Sequence, residues 1–196
     1  MPTSRMEAFS DGVIAILITV MVLELRTPHG TTWGALHHTL PALLTYVLSF
    51  TFLGIYWNNH HHMLMAADQV GGLVLWANLH LLFWLSLVPF TTGWMGENHF
   101  ATVPVVAYGI VLLAAALAYF GLQTAIIRTQ GPDSKLAVAV GRDLKGKISP
   151  VLYTVAILVA FANRWAAVVL YVTVALIWLV PDRRVARTLA ATVSGG

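Results

Sequence analysis

The chain has 196 residues, of which 58% are hydrophobic and only 10% are charged, and its mean hydropathy is +0.77. Because soluble domains carry about 25% charged residues, this composition excludes an ordinary soluble protein and predicts an all-α integral membrane protein. The net charge of +3 therefore indicates basic residues gathered on one side of a bilayer rather than a nucleic-acid partner, and the lack of cysteine excludes disulfides and thiolate metal sites.

Six mostly apolar stretches follow one another along the chain, and a membrane-spanning helix needs roughly 20 such residues. The predicted helices cover residues 6–25, 39–57, 70–95, 102–127, 148–162 and 165–180. A polar segment, 128–147, joins the fourth helix to the fifth and is predicted to be a cytoplasmic linker with a short helix. The sequence thus predicts a single transmembrane domain over residues 1–196.

The basic residues give the orientation. With both termini in the cytoplasm, nine of the 11 lysines and arginines fall inside: Arg5, Arg128, Lys135, Arg142, Lys145, Lys147, Arg183, Arg184 and Arg187. Only Arg26 and Arg164 fall outside. Cytoplasmic segments are enriched in lysine and arginine, so this distribution supports six helices with both ends cytoplasmic.

The first helix carries most of the functional signal. Asp11 is an ionisable residue near its start, which is costly in a membrane unless the side chain has a partner. At 100° per residue, Ile16, Thr19, Val20 and Leu23 share one face, and Asp11 lies about 140° from Ile16. We therefore expect Asp11 to be a packed, hydrogen-bonded anchor. The apolar face fits a pore lining, although such faces more commonly meet lipid or another helix.

The chain contains eight histidines, and they permit a different interpretation. A membrane redox protein could hold haem between His60 or His61 and His80, because imidazole binds iron well. The predicted depths of these residues match poorly, which favours interfacial histidines and one buried, hydrogen-bonded histidine. A secondary transporter is a third possibility, but no internal duplication is visible.

Several motifs resemble those of the transmembrane protein 175 family of potassium channels. They are RMEAFSDG at 5–12, Ala15-Ile16, Thr19, VLEL at 22–25, Ser49-Phe50, WNNHH at 57–61, Asn78-Leu79 and LVPF at 87–90. The resemblance implies six helices per subunit in a homotetrameric cation channel that lacks the Thr-Val-Gly-Tyr-Gly filter. It also implies modestly selective K⁺ permeation, no cofactor, no enzymatic activity, and a place in the bacterial plasma membrane.

The resemblance further implies two roles for residues around the first helix. Ile16 would form the narrow constriction of the pore, Val20 and Leu23 would form further apolar rings, and Thr19 would place a hydroxyl nearby. A second group would hold this helix against the second and third helices: Arg5, Phe9, Ser10, Asp11, Trp57, His60 and Asn78. Val20 departs from the family pattern, because other members often carry a larger aliphatic residue there.

Overall fold

The computed structural model describes residues 3–67, 70–140 and 144–179, and the regular structure in these ranges is entirely helical. The helices are α1 (Thr3–Leu23), α2 (Trp33–Met65), α3 (Gly72–Ser86), α4 (Val88–Glu97), α5 (Thr102–Gln130), α6 (Lys135–Val140), α7 (Leu144–Ala160) and α8 (Arg164–Leu179). By length and hydropathy, α1, α2, the continuous α3–α4 segment and α5 can each cross a membrane, and α8 is a shorter apolar helix. The predicted all-α membrane fold is confirmed. Arg142 and residues 180–196, with three of the predicted cytoplasmic arginines, lie outside the described residues.

α2 is much longer than the predicted 39–57. Its 33 residues span about 50 Å, against a hydrocarbon thickness of about 30 Å. The helix continues through the polar WNNHHH segment because these side chains find hydrogen-bond partners within it. The Asn59 amide donates to the Ile55 carbonyl at 2.8 Å, and the His62 imidazole bonds the Asn58 carbonyl at 2.6 Å.

The third predicted helix, 70–95, is broken at Leu87 into α3 and α4. Pro89 lies in the first turn of α4, where its missing N–H and fixed φ are tolerated, but it cannot continue the hydrogen bonding of α3. Threonine hydroxyls bond the carbonyls at this break. Thr91 donates to the Leu87 carbonyl at 3.1 Å, and Thr92 donates to the Val88 carbonyl at 2.7 Å.

The helices enclose two hydrophobic cores. The first joins α1, the C-terminal half of α2, α3 and the C-terminal half of α5, and includes Ile14 and Leu81. The second joins the middle of α2 to the N-terminal half of α5, α7 and α8, and includes Tyr108 and Tyr171. α5 packs tightly against α8 at Gly109, where an added Cβ would collide with the Tyr171 hydroxyl. This contact fixes the α7–α8 pair against α5, whereas α1 packs on α2, α3 and α4.

The predicted linker 128–147 is partly helical. α5 continues to Gln130 and ends at Gly131, whose φ of +92° favours glycine. α6 follows over Lys135–Val140, and α7 already begins at Leu144. Residues 141–143 lie outside the described part.

Candidate functional site

α1 is divided into a buried face and an exposed face. The buried face consists of Met6, Ser10, Ile14, Leu17 and Met21, each at most 8% exposed. On the opposite side, Phe9 is 54%, Ile16 61% and Leu23 81% exposed. Because these large apolar side chains are so exposed, this side of α1 has no neighbouring helix in the described part of the single chain.

The exposed residues form a regular pattern. Phe9, Gly12, Ile16, Thr19 and Leu23 are all exposed and follow one another at spacings of three and four residues; we call this set the α1 stripe. A repeat of seven residues with two inward positions is the pattern by which helices pack around a common axis. The Thr19 hydroxyl donates to the Ile16 carbonyl at 2.8 Å, so only its oxygen lone pairs remain available. Val20 is half-buried at the edge of the stripe.

Three buried polar side chains connect α1 to α2 and α3. The His60 ring Nε2 lies 2.7 Å from Asn78 Oδ1, Asn78 Nδ2 donates to Ser10 Oγ at 2.9 Å, and Ser10 donates to the Met6 carbonyl at 2.8 Å. Because the Met6 carbonyl can only accept, the direction of every bond is fixed and His60 must donate through Nε2–H. We call His60, Asn78, Ser10 and the Met6 carbonyl the anchor chain.

A second group of contacts joins the start of α1 to α2. Trp57 Nε1 donates to Asp11 Oδ1 at 3.0 Å, and His61 Nδ1 lies 2.6 Å from Glu7 Oε1. The Trp57 and His61 rings stack, with centroids 6.4 Å apart. Asp11 therefore faces α2 and does not lie on the α1 stripe. Sequence reasoning did not pair Glu7 with His61, although both residues lie within the quoted motifs.

Two of the predicted anchoring residues lie elsewhere. Arg5 is exposed, and within the described ranges it makes no hydrogen bond or ion pair. Phe9 belongs to the α1 stripe and does not contribute to the buried face. The structure thus brings together Ser10, Asp11, Trp57, His60 and Asn78 out of the seven predicted.

A chain of hydroxyl groups near the α3–α4 break was not predicted. Ser49 Oγ lies 2.6 Å from Thr92 Oγ1 and 3.0 Å from the Tyr108 hydroxyl, so it connects α2 with α4 and α5. All three residues are buried. Ser49 belonged to a quoted motif, but nothing in the sequence indicated its partners on two other helices.

The buried histidine is His60, and His80 is exposed. His80 accepts a hydrogen bond from Trp84 Nε1 at 3.3 Å, within its own helix. Asn78 faces His60, and His80 lies two residues further along α3, or about 200° around the helix. The geometry that haem would need between His60 or His61 and His80 is absent.

A cavity of about 510 Å³ lies beside the C-terminal end of α1, between α1, α2 and α4. Glu24, Arg26 and Glu97 line it, and Arg26 forms an ion pair with Glu97 at 2.9 Å. Partial burial and the nearby Glu97 carboxylate raise the pKa of Glu24 above its ordinary value. Glu24 sits over Gly93, where a Cβ would lie only 3.2 Å from the Glu24 carboxylate oxygen.

The chain is similar to known proteins. A family model described as the endosomal/lysosomal potassium channel TMEM175 matches residues 5–89, the segment that contains the α1 stripe and the anchor chain. A potassium channel of Chryseobacterium sp. (strain P1-3) is 50% identical over 96% of this chain and 98% of its own length. A potassium channel of Streptomyces collinus is 35% identical over 65% of this chain and 66% of its own length.

A solved structure is similar over nearly the whole fold. It is the crystal structure of a lysosomal potassium-selective channel TMEM175 homolog from Chamaesiphon minutus. The two chains superpose with a TM-score of 0.80 at 28% sequence identity, over 90% of this chain and 96% of that one.

Proposed function

The chain belongs to the TMEM175 family, and on that premise we propose that it is a potassium channel in which four copies surround a pore lined by α1. The observation that carries the proposal is the α1 stripe. Ile16 and Leu23 are more than half exposed, whereas the residues opposite them are buried against α2, α3 and α4. A heptad-spaced stripe of this kind is covered when copies of α1 meet around a common axis.

The stripe accounts for both conduction and its control. Phe9, Ile16 and Leu23 would form apolar rings about 10 Å apart along the pore, since seven residues rise about 10 Å. A narrow ring of apolar side chains blocks ions by losing water, and it conducts once it widens and hydrates. Ile16 is the proposed constriction, with Thr19 one turn further and Val20 at the edge. Because the carbonyls of α1 are bonded within the helix, they are not free to replace the water around a K⁺ ion. Modest K⁺ selectivity is therefore expected.

The anchor chain and the Asp11 and Glu7 contacts would set the rotation of α1. They hold the start of the helix to α2 and α3 through side chains that face away from the stripe. A turn of α1 by one residue would move Ile16 by about 100° and remove it from the axis. In this proposal the buried polar residues position the pore and do not contact the ion.

The proposed setting is the bacterial plasma membrane with both termini in the cytoplasm. Support comes from the basic residues of the described part, of which Arg128 and Lys147 lie at one end of the bundle while Arg26 and Arg164 lie at the loops of the other end. Enrichment of cytoplasmic segments in lysine and arginine predicts this orientation.

Purified protein in planar bilayers under a potassium gradient tests the function. We expect a reversal potential that shifts toward the K⁺ equilibrium value and a smaller shift when Na⁺ replaces K⁺, with protein-free bilayers as the control. Native mass spectrometry of the same sample should give a tetramer. A reversal potential that follows the anion, or a monomer that carries the full conductance, would contradict the proposal.

A further inference from the structure

The cavity beside the C-terminal end of α1 has walls from three helices. Its volume of about 510 Å³ lies within the range of about 300–1,000 Å³ that is usual for small-molecule sites. The wall from α4 is a single helix face, because its lining residues follow one another at spacings of three and four. These residues are Phe90, Gly93, Trp94 and Glu97, and they face Met21 of α1 and Tyr46 of α2 across the cavity.

Contacts within the protein set the width of this cavity. At Gly96 an added Cβ would lie 2.8 Å from the Ala42 Cα, so α2 and α4 are in direct backbone contact at that point. The hydrogen bond between the Ser49 and Thr92 hydroxyls, at 2.6 Å, joins the same two helices. The walls are therefore in place without a ligand, and little binding energy would be lost in forming the site.

Three aromatic side chains line the cavity: Tyr46, Phe90 and Trp94. The Phe90 and Trp94 rings are neighbours on α4, with centroids 6.0 Å apart and 33° between their planes. Aromatic rings attract cations that approach within about 6 Å of the ring centroid, and groups of such rings recognise quaternary ammonium ions. The aromatic walls thus favour a cation with an apolar body.

The charged groups of the cavity also favour a cation. Two carboxylates, of Glu24 and Glu97, line it together with one guanidinium, of Arg26. Arg26 pairs with Glu97 at 2.9 Å, whereas within the described residues the Glu24 carboxylate has no hydrogen bond or ion pair. α1 and α4 both end at this cavity, and neither has a basic residue in its last turn to balance the partial negative charge of a helix C-terminus.

A metal ion suits these walls less well than an organic cation. The described part of the chain contains no group of three or more histidine, aspartate or glutamate side chains that could hold a metal ion. In the cavity itself, Glu97 is already bound by Arg26, which leaves Glu24 as the one carboxylate without a partner in the described structure. Aromatic rings and a single free carboxylate match an ammonium ion that carries alkyl groups.

We propose that this cavity binds an organic ammonium ion of the choline type. Its positive charge lies beside the Glu24 carboxylate, and its methyl groups contact the rings of Tyr46, Phe90 and Trp94. The inference goes beyond the proposed function and depends neither on conduction nor on the number of subunits.

Isothermal titration calorimetry of the purified protein in maltoside micelles at pH 8 tests the site. The ligand is choline, and the control ligand is dimethylbutanol, its uncharged carbon isostere. We expect saturable binding of choline and binding of the isostere that is weaker by about tenfold or more, because only the cation is attracted by the carboxylate and the ring faces.

Two charge variants should change choline affinity in opposite directions. Glu24→Gln should weaken binding by about fivefold or more, and Arg26→Gln should strengthen it by about two- to fivefold, since it removes the positive charge. A variant that merely damages the fold would not bind more tightly. Trp94→Leu should weaken binding by about two- to tenfold. The matched controls are Asp133→Asn and Trp76→Leu, an exposed acid and an exposed ring outside the cavity, and both should bind as wild type.

Three outcomes would overturn the proposal: no saturable binding of choline, equal affinity for choline and its isostere, or an affinity that neither charge variant alters. Displacement of choline by an equal concentration of K⁺ would also overturn it and assign the cavity to the inorganic ion.

A choline group can come from a free solute or from a lipid headgroup, and competition distinguishes these sources. Displacement of choline by a short-chain phosphatidylcholine, but not by phosphatidylglycerol of the same chain length, would identify a lipid headgroup as the ligand. Displacement by neither lipid would identify a free solute. Because the readout is binding, a protein without potassium current leaves the result intact.

Discussion

Replacing Asn78 with leucine tests whether the anchor chain holds α1 in place. Asn78 is 2% exposed and contacts both Ser10 and His60. The substitution removes two hydrogen bonds between helices, worth about 0.6 kcal/mol each in membrane proteins. It also leaves the buried His60 ring with both nitrogens unpaired, because Nδ1 already lacks a partner in the described structure, which adds about 1–3 kcal/mol. We expect a total destabilisation of about 2–4 kcal/mol.

The measurement is unfolding in mixed micelles titrated with sodium dodecyl sulfate, supported by thermal melts. At about 2–4 °C per kcal/mol for a chain of this size, the melting temperature should fall by roughly 5–15 °C. His80→Leu is the matched control, because His80 is exposed on the same helix and bonds only Trp84; it should change stability by about 0.5 kcal/mol or less. If Asn78→Leu and the His80→Leu control unfold at the same detergent concentration and melt at the same temperature, the anchor chain does not stabilise the α1 contacts.

Three further substitutions test other parts of the structure. Ile16→Asn should raise single-channel conductance and reduce K⁺/Na⁺ discrimination by hydrating the constriction, whereas Val22→Asn should not; unchanged currents would remove Ile16 from the narrow ring. Gly109→Ala should destabilise the fold by about 1–3 kcal/mol through collision with Tyr171, whereas Gly121→Ala on the same helix, with nothing within 4 Å of the added Cβ, should be neutral or stabilising in thermal melts. The raised pKa of Glu24 means that its ionised form is penalised in the folded state, so Glu24→Gln should melt above wild type at pH 8 and lose this advantage as the pH falls to the ordinary value of 4.5. A difference in melting temperature that is constant with pH would show that Glu24 is not responsible.

The two faces of α1 could be derived from the sequence, because helical periodicity alone separates Asp11 from Ile16. The end of α2 could not. The WNNHHH segment is polar enough to predict a helix end at Trp57. Hydrogen bonds within α2, together with contacts across helices such as Glu7 with His61, explain why the helix continues. A polar segment therefore marks the end of a membrane helix only if its side chains would face lipid. Where they pack against another helix, the helix can continue.

The choice between His60 and His80 as the buried histidine was also beyond the sequence. α3 is apolar around most of its circumference, so its pattern does not indicate which face packs against α1. The hydroxyl chain through Ser49 could not be predicted for the same reason. Thr92 and Tyr108 lie close to Ser49 only because α2 crosses α4 and α5 at this point. Such contacts depend on how helices cross, and hydropathy carries no information on crossing geometry.

The distribution of charge along α1 has an electrical consequence. Between Gly12 and Leu23 the helix contains no ionisable side chain, and its charged contacts, at Glu7 and Asp11, lie at one end. Moving one elementary charge across a membrane potential of 100 mV changes its energy by about 2.3 kcal/mol, but this segment carries no charged side chain that the potential could move. The segment that carries the proposed constriction is therefore expected to respond little to voltage. Changes in its width must come from packing, hydration or the N-terminal end of the helix.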